Sequence, residues 1–399
     1  MDAVAQAVYN PETQISSAPL MALLHAGFVL TGVVCTMLGP LLPLLSTRWS
    51  LTDARAGYLF SAQYSGSMLG VWASSLLMSR RGHRTSLVLG MALMALGSAT
   101  LPAPGWTLGM LSTACFGIGF GLSIPATNLL VSELNPEKRA SALNLINFSW
   151  GAGAASCPFF VAALLRVHRT SYFLYGIATL LALVASGSSV VVFPAVPRSA
   201  NRSSPTESNP WRSRWVPVLG ALFFLYVGSE AGLGGWAATY ARRMAAGTGT
   251  LWVLIPSFFW VALLFGRATA PLLLSRLREL KLAQAGLVLS AVGVVALLEA
   301  RNLAVIAIGI SLAGLGLSSI FPIAVATLSH KFGAAASRVS GVAFALAAAG
   351  GATLPWLIGY VSTELGDLKY GLLVPLFGCF ATFSLCALLS QGEQKIRNP

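Results

Sequence analysis

Among the residues able to do chemistry, Glu230 stands in the least expected surroundings: Leu225-Tyr-Val-Gly-Ser-Glu230-Ala-Gly-Leu-Gly-Gly-Trp236. The hydrophobic helix that holds it begins near Trp215. At ~1.5 Å of rise per residue the carboxyl lies about 22 Å along that helix, well inside an apolar layer about 30 Å thick. An ionisable side chain at such depth faces the protein interior, pairs, or relays protons. Proton coupling is therefore the expected role of Glu230. Tyr226 lies four residues earlier, on the same helix face. Gly228, Gly232, Gly234 and Gly235 surround the acid. They predict a helix broken beyond it, with Gly234 and Gly235 forming an outer gate.

Other polar side chains inside apolar runs form a small set. Gln63, Tyr64, Trp260 and Trp356 fall in the middle or outer part of their runs, whereas Asn128, Asn144, Asn147 and His25 lie nearer the cytosolic ends. Amides offer both a donor and an acceptor, and aromatic faces stack on the C–H face of a pyranose. Together they suit a neutral, polyhydroxylated solute. The expected solute contacts are Gln63, Tyr64, Asn128, Asn147, Trp150, Tyr226, Glu230, Trp260 and Trp356. The asparagines serve equally as hydrogen-bonding glue between helices. Arg267 sits ~12 Å deep, and its stem is long enough to reach cytosolic water. Pairing with Glu230 is the minority expectation, since the two backbones differ in depth by ~10 Å. Arg80 and Arg84 on one loop, with Glu133 and Arg139 on another, are candidates for a cytosolic latch; Arg267 completes the gating set.

These residues need a membrane scaffold. Of 399 residues, 56% are hydrophobic and 9% charged, against about 25% charged in soluble domains. Apolar runs predict twelve spans near 20–46, 55–78, 86–104, 106–133, 141–165, 170–194, 215–242, 250–274, 282–299, 302–328, 340–362 and 367–390. With both termini in the cytosol, the cytosolic connections hold sixteen cations and the opposite side eight. The net charge of +13 thus reads as positive-inside topology, not a nucleic-acid surface. No removable signal peptide is expected at residues 1–18. Residues 195–214, rich in Ser, Pro, Asn and Arg, read as a cytosolic linker between bundles 1–194 and 215–399. Gly117, Gly119, Pro125 and Pro158 match Gly314, Gly316, Pro322 and Pro355 at one common offset. Parallel repeats of six spans build a site between two rocking halves. The five cysteines are scattered through apolar runs, with neither a disulfide framework nor a metal spacing.

Over essentially its whole length the chain resembles the major facilitator superfamily. Arg80-Arg-Gly-His-Arg84 resembles the superfamily's loop motif between spans two and three, with Ser79 where the usual Asp would stand. Tyr226 through Trp236 resembles span seven of the fucose and glucose/galactose proton-symporter branch. Arg139-Ala-Ser-Ala-Leu-Asn144 and Trp150-Gly-Ala-Gly153 are similar to its span four-to-five region. Gly39 and Pro125 stand where that branch's fucose permeases carry acids in spans one and four, so that proton path does not transfer. The adjacent Gly-Pro motif of drug/proton antiporters is missing from span five.

The reading is an all-α integral membrane protein with twelve transmembrane helices in two six-helix bundles, the major facilitator fold. The sequence lacks a nucleotide-binding loop and any nucleophile–base spacing, so no enzyme and no cofactor or metal is expected. The expected activity is proton-coupled symport of a small neutral solute, a monosaccharide, by a monomer in the cell's inner membrane. Its partners are the solute, protons and the lipid bilayer, with no nucleic acid. The alternatives are a proton-coupled antiporter exporting an amphiphilic or drug-like compound, an uncoupled facilitator, or a non-transporting sensor.

Overall fold

The computed structural model describes residues 18–167, 169–193, 210–244 and 249–397. The connection expected to link the halves falls outside the described residues from 194 to 209. Fifteen α-helices and no strand lie among the described residues. In chain order, α1 is Ala18–Thr36, α2 Leu38–Arg48, α3 Asp53–Arg81, α4 His83–Thr100, α5 Trp106–Leu134, α6 Arg139–Arg166 and α7 Thr170–Val190. They continue with α8 Trp215–Met244, α9 Ile255–Leu274, α10 Glu279–Leu298, α11 Leu303–Leu317, α12 Ile320–Phe332, α13 Ala336–Leu365, α14 Leu368–Gly371 and α15 Leu373–Arg397.

These helices form twelve rods, because α1 with α2, α11 with α12, and α14 with α15 each follow one another as a single broken span. A proline follows each break. Pro40, Pro322 and Pro375 lack the N–H that would bond the carbonyl four residues earlier, at Thr36, Ser318 and Gly371. Pro125, Pro158 and Pro355 sit inside unbroken helices. Ten stretches are long and apolar enough to cross a membrane. Without water, only internally bonded backbone is tolerated at that depth, and helices supply it.

The repeat noticed in sequence recurs as packing. Gly117 of α5 lies against the Gln63 carbonyl of α3, and Gly314 of α11 against the Phe259 carbonyl of α9. Two residues on, on another face, Gly119 meets the Gly90 carbonyl and Gly316 the Gly286 carbonyl. Small residues let backbones touch where lipid provides no hydrophobic drive between helices.

The first seven helices pack mainly among themselves, as do the last eight, and a seam runs between the two sets. At the end of the molecule carrying Asp53 and Arg243 the seam is shut, by α3 on α13 and α2 on α8. Midway, α6 meets α9, with the Ser257 hydroxyl donating to the Ala155 carbonyl at 2.9 Å. At the end carrying Glu133, α5 and α12 make no comparable contact across the seam among the described residues. There Asn144 and Asn147 are exposed.

Candidate functional site

Helix α8 runs unbroken from Trp215 to Met244, which corrects the expected glycine break. A broken turn would leave backbone groups unbonded in a dry layer, a cost of several kcal/mol each. The glycines permit close approach instead. A Cβ on Gly39 would lie 2.8 Å from the Gly234 carbonyl, one on Gly234 2.9 Å from the Trp260 ring, and one on Gly235 2.6 Å from Phe60. Gly234 and Gly235 thus stand where α8 meets α2, α3 and α9.

On the same helix Glu230 faces α9. Its Oε1 accepts from Arg267 Nη2 at 3.2 Å, and the two side chains are 14% and 29% exposed. The same nitrogen lies 3.3 Å from the Tyr226 hydroxyl. Arg267 therefore does not snorkel towards water. Its long stem spans the offset in backbone depth, and an unpaired charge left at that depth would cost several kcal/mol. Tyr64 of α3 and Cys35 of α1 lie within electrostatic reach of Glu230, which places the acid at the seam rather than against lipid.

Around this triad the structure gathers part of the expected set. Gln63, 2% exposed, donates through Nε2 to the Cys35 carbonyl at 2.9 Å, leaving its Oε1 without a protein partner. The Tyr64 ring covers Gly351 of α13. Trp150 and Trp260 meet edge to face across the α6–α9 contact, with centroids 5.8 Å apart, and neither indole N–H has a protein partner. Buried polar atoms are nearly always bonded; among the described residues twelve side-chain atoms lack a partner, these three among them.

Asn128, Asn147 and Trp356, and with them His25, make further contacts. Asn147 Nδ2 donates to Asn128 Oδ1 at 3.2 Å and to the Leu143 carbonyl at 2.7 Å, tying α6 to α5. His25 Nδ1 meets the Ser149 hydroxyl at 2.7 Å, tying α1 to α6. Trp356 joins an aromatic ladder across the α3–α13 seam, 5.7 Å from Tyr58 and 5.5 Å from Tyr360. Both tyrosines are exposed, and the Trp356 indole N–H has no protein partner among the described residues.

Of the residues expected to latch the open end, Glu133 Oε2 lies 2.9 Å from His83 Nε2. This joins α5 to α4 within the first set of helices. Arg80, Arg84 and Arg139 lie exposed at the same end.

The strongest polar closure was not foreseen. Asp53, at the start of α3, accepts from Arg243 Nη1 at 2.7 Å and Nη2 at 2.5 Å. It also accepts from the Ser362 hydroxyl of α13 at 2.5 Å. Beside it the Ala54 N–H donates to Thr363 Oγ1 at 2.9 Å, and Arg242 Nη1 to the Pro43 carbonyl at 2.8 Å. Four helices from both sides of the seam meet here. The available signal was an acid opening a helix opposite a paired Arg242-Arg243; as a charge count, that pair carried only topology.

With this geometry in hand, residues 24–355 match the family model described as Major Facilitator Superfamily. The chain is 25% identical to the sodium-dependent glucose transporter 1 of Danio rerio, covering 90% of this chain and 67% of that protein. It is also 25% identical to the L-fucose-proton symporter of Escherichia coli (strain K12), covering 92% of each. A bacterial homologue of the human lysosomal transporter Spinster, solved inward-facing and occupied, superposes with a TM-score of 0.77 at 13% identity. That superposition spans 95% of this chain and 98% of the other and speaks to fold alone. The twelve rods, the repeated glycine contacts and the family match agree: the chain belongs to the Major Facilitator Superfamily of multi-pass membrane transporters.

Proposed function

We propose that this chain is a proton-coupled symporter for a monosaccharide-class solute, working by alternating access between bundles 1–194 and 215–399. The observation that carries the reading is the Glu230–Arg267–Tyr226 triad at the seam, with orphaned polar atoms of Gln63, Trp150 and Trp260 around it. An acid that exchanges between an arginine and a proton can tie helix position to proton occupancy. The two relatives named for glucose and L-fucose transport support the solute class. The excess of cations on the Glu133 side orients that end towards the cytosol, with both termini inside and the Asp53 end facing out. In this arrangement the outer side is shut and the inner side open. The protein acts as a monomer in the cell's inner membrane.

Gln63, Tyr64, Trp150, Tyr226 and Trp260 contact the solute, and Glu230 carries the proton. Gly234 and Gly235 let the outer halves close, and Asn128 with Asn147 line the inner approach. The test is uptake of labelled hexoses into proteoliposomes under an imposed inward proton gradient. Glu230→Gln should abolish gradient-driven accumulation while leaving solute exchange across the bilayer intact. Gradient-driven uptake that survives Glu230→Gln sinks the coupling role. One observation favours a second reading: Glu230 and Arg267 already satisfy one another, as a purely structural pair in an uncoupled facilitator would. Uptake that ignores the gradient in the wild type would select it.

A further inference from the structure

We infer that the solute is itself an acid, a sugar carboxylate, whose carboxylate replaces Glu230 on Arg267 when Glu230 takes up its proton. The inference rests on the proposed proton role of Glu230 and refines the uncharged solute that amides and aromatics alone suggest.

The first argument is charge conservation in a dry seam. The ionisable groups facing Glu230 are Arg267 of α9, Tyr226 on its own helix, Tyr64 of α3 and Cys35 of α1. Only Arg267 is a cation, and Glu230 is the only carboxylate among the groups acting on it. When Glu230 binds a proton, the guanidinium loses its counter-charge. A buried charge without a partner is strongly unfavourable. A neutral hexose cannot offset it, whereas a carboxylate matches the planar guanidinium with two parallel hydrogen bonds.

The second argument is independent of any proton. Of the side chains named around Glu230, Arg267 Nε, Trp150 Nε1, Trp260 Nε1 and Gln63 Oε1 have no protein partner. Three are donors and one is an acceptor. Gln63 and Trp260 are 2% and 7% exposed, so their orphaned atoms are shielded from solvent. A fitting ligand therefore presents more acceptors than donors. A carboxylate is acceptor-only, and one hydroxyl of the same molecule supplies the donor that Gln63 Oε1 needs. The remaining carbon skeleton lies against the Trp150–Trp260 pair. Proton and anion then cross together, so the transport cycle moves no net charge.

The test uses the purified full-length chain, with titration calorimetry of D-glucuronate, D-gluconate and D-glucose in mildly acidic and mildly alkaline buffer. D-glucuronate or D-gluconate should bind about tenfold more tightly than D-glucose in acid, a difference of about 1.4 kcal/mol, and the advantage should shrink in alkali. Arg267→Gln should erase the preference and Arg267→Lys should keep most of it, with gel-filtration profiles confirming that both fold. Glu230→Gln should bind the sugar acid equally at both pH values. Reconstituted protein should accumulate the acid on a proton gradient without a transport current. Equal wild-type affinity for glucose and glucuronate, or a preference that persists in Arg267→Gln, overturns the inference. If glucose alone is accumulated in a Glu230-dependent manner, the acid is wrong and the symporter reading stands. If neither sugar nor sugar acid binds, both fall.

Discussion

Replacing Asp53 with Asn should unlatch the outer end of the molecule. In the closed arrangement this carboxylate takes two hydrogen bonds from Arg243 and one from Ser362, binding α3 to α8 and α13. The amide keeps the shape but loses the charge and one acceptor. Hydrogen bonds to charged groups contribute about 1.5–3 kcal/mol each, while fully exposed ion pairs contribute about 0–1 kcal/mol. This latch lies between those limits, since the Asp53 side chain is 10% exposed and that of Arg243 46%. A loss of about 2 kcal/mol follows, or about a 30-fold shift from outer-closed towards outer-open. Hydrogen–deuterium exchange on the protein in lipid nanodiscs reads the shift directly. Peptides from the outer ends of α3, α8 and α13 should exchange faster in Asp53→Asn, and those around Asn147 more slowly as the inner end closes. The charge-reversed pair Asp53→Arg with Arg243→Asp should recover part of the wild-type pattern. Unchanged exchange at both ends would refute the latch.

The other predictions concern packing and pairing. Arg267→Ala should lower thermal stability by about 3–5 kcal/mol, because it strands Glu230 without its partner; Arg267→Gln combined with Glu230→Gln should recover most of that loss in a melting curve. Gly234→Val places a branched side chain against the Trp260 and Phe259 rings of α9. Overpacking of about 1–3 kcal/mol should displace the Trp260 ring at the α6–α9 contact, seen as slowed uptake by a folded protein. Trp356→Ala should leave solute affinity within about twofold and reduce stability by about 1 kcal/mol, the worth of an aromatic stack; a large loss of affinity would return Trp356 to the binding site.

Much of the fold was legible because its causes are local in the chain. A run of apolar residues must become a bonded helix in lipid whatever lies beside it, so the twelve spans and the depth of Glu230 follow from composition and counting. The repeated glycines were legible too, since backbone contact within each set demands a small residue at the same place in each repeat. The three helix breaks were not legible in the same way, since Pro125, Pro158 and Pro355 sit inside unbroken helices.

Pairing across the seam belongs to another order of information. Asp53 and Arg243 stand 190 residues apart, and Glu230 and Arg267 stand 37 apart on antiparallel helices whose relative height no periodicity sets. Comparing backbone depths left Arg267 reaching for water, because that arithmetic omits the length of the side chain and the penalty for a lone charge. Trp356 fits a sugar by type, and the azimuth of α13 stacks it beside Tyr58 and Tyr360, which no periodicity sets. The sequence determined that an acid lies deep in the membrane among helices able to slide. Only the tertiary structure decided that an arginine meets it there and that Asp53 meets Arg243 and Ser362 across the seam, because side-chain partners are chosen by helix rotation and height, which packing alone sets.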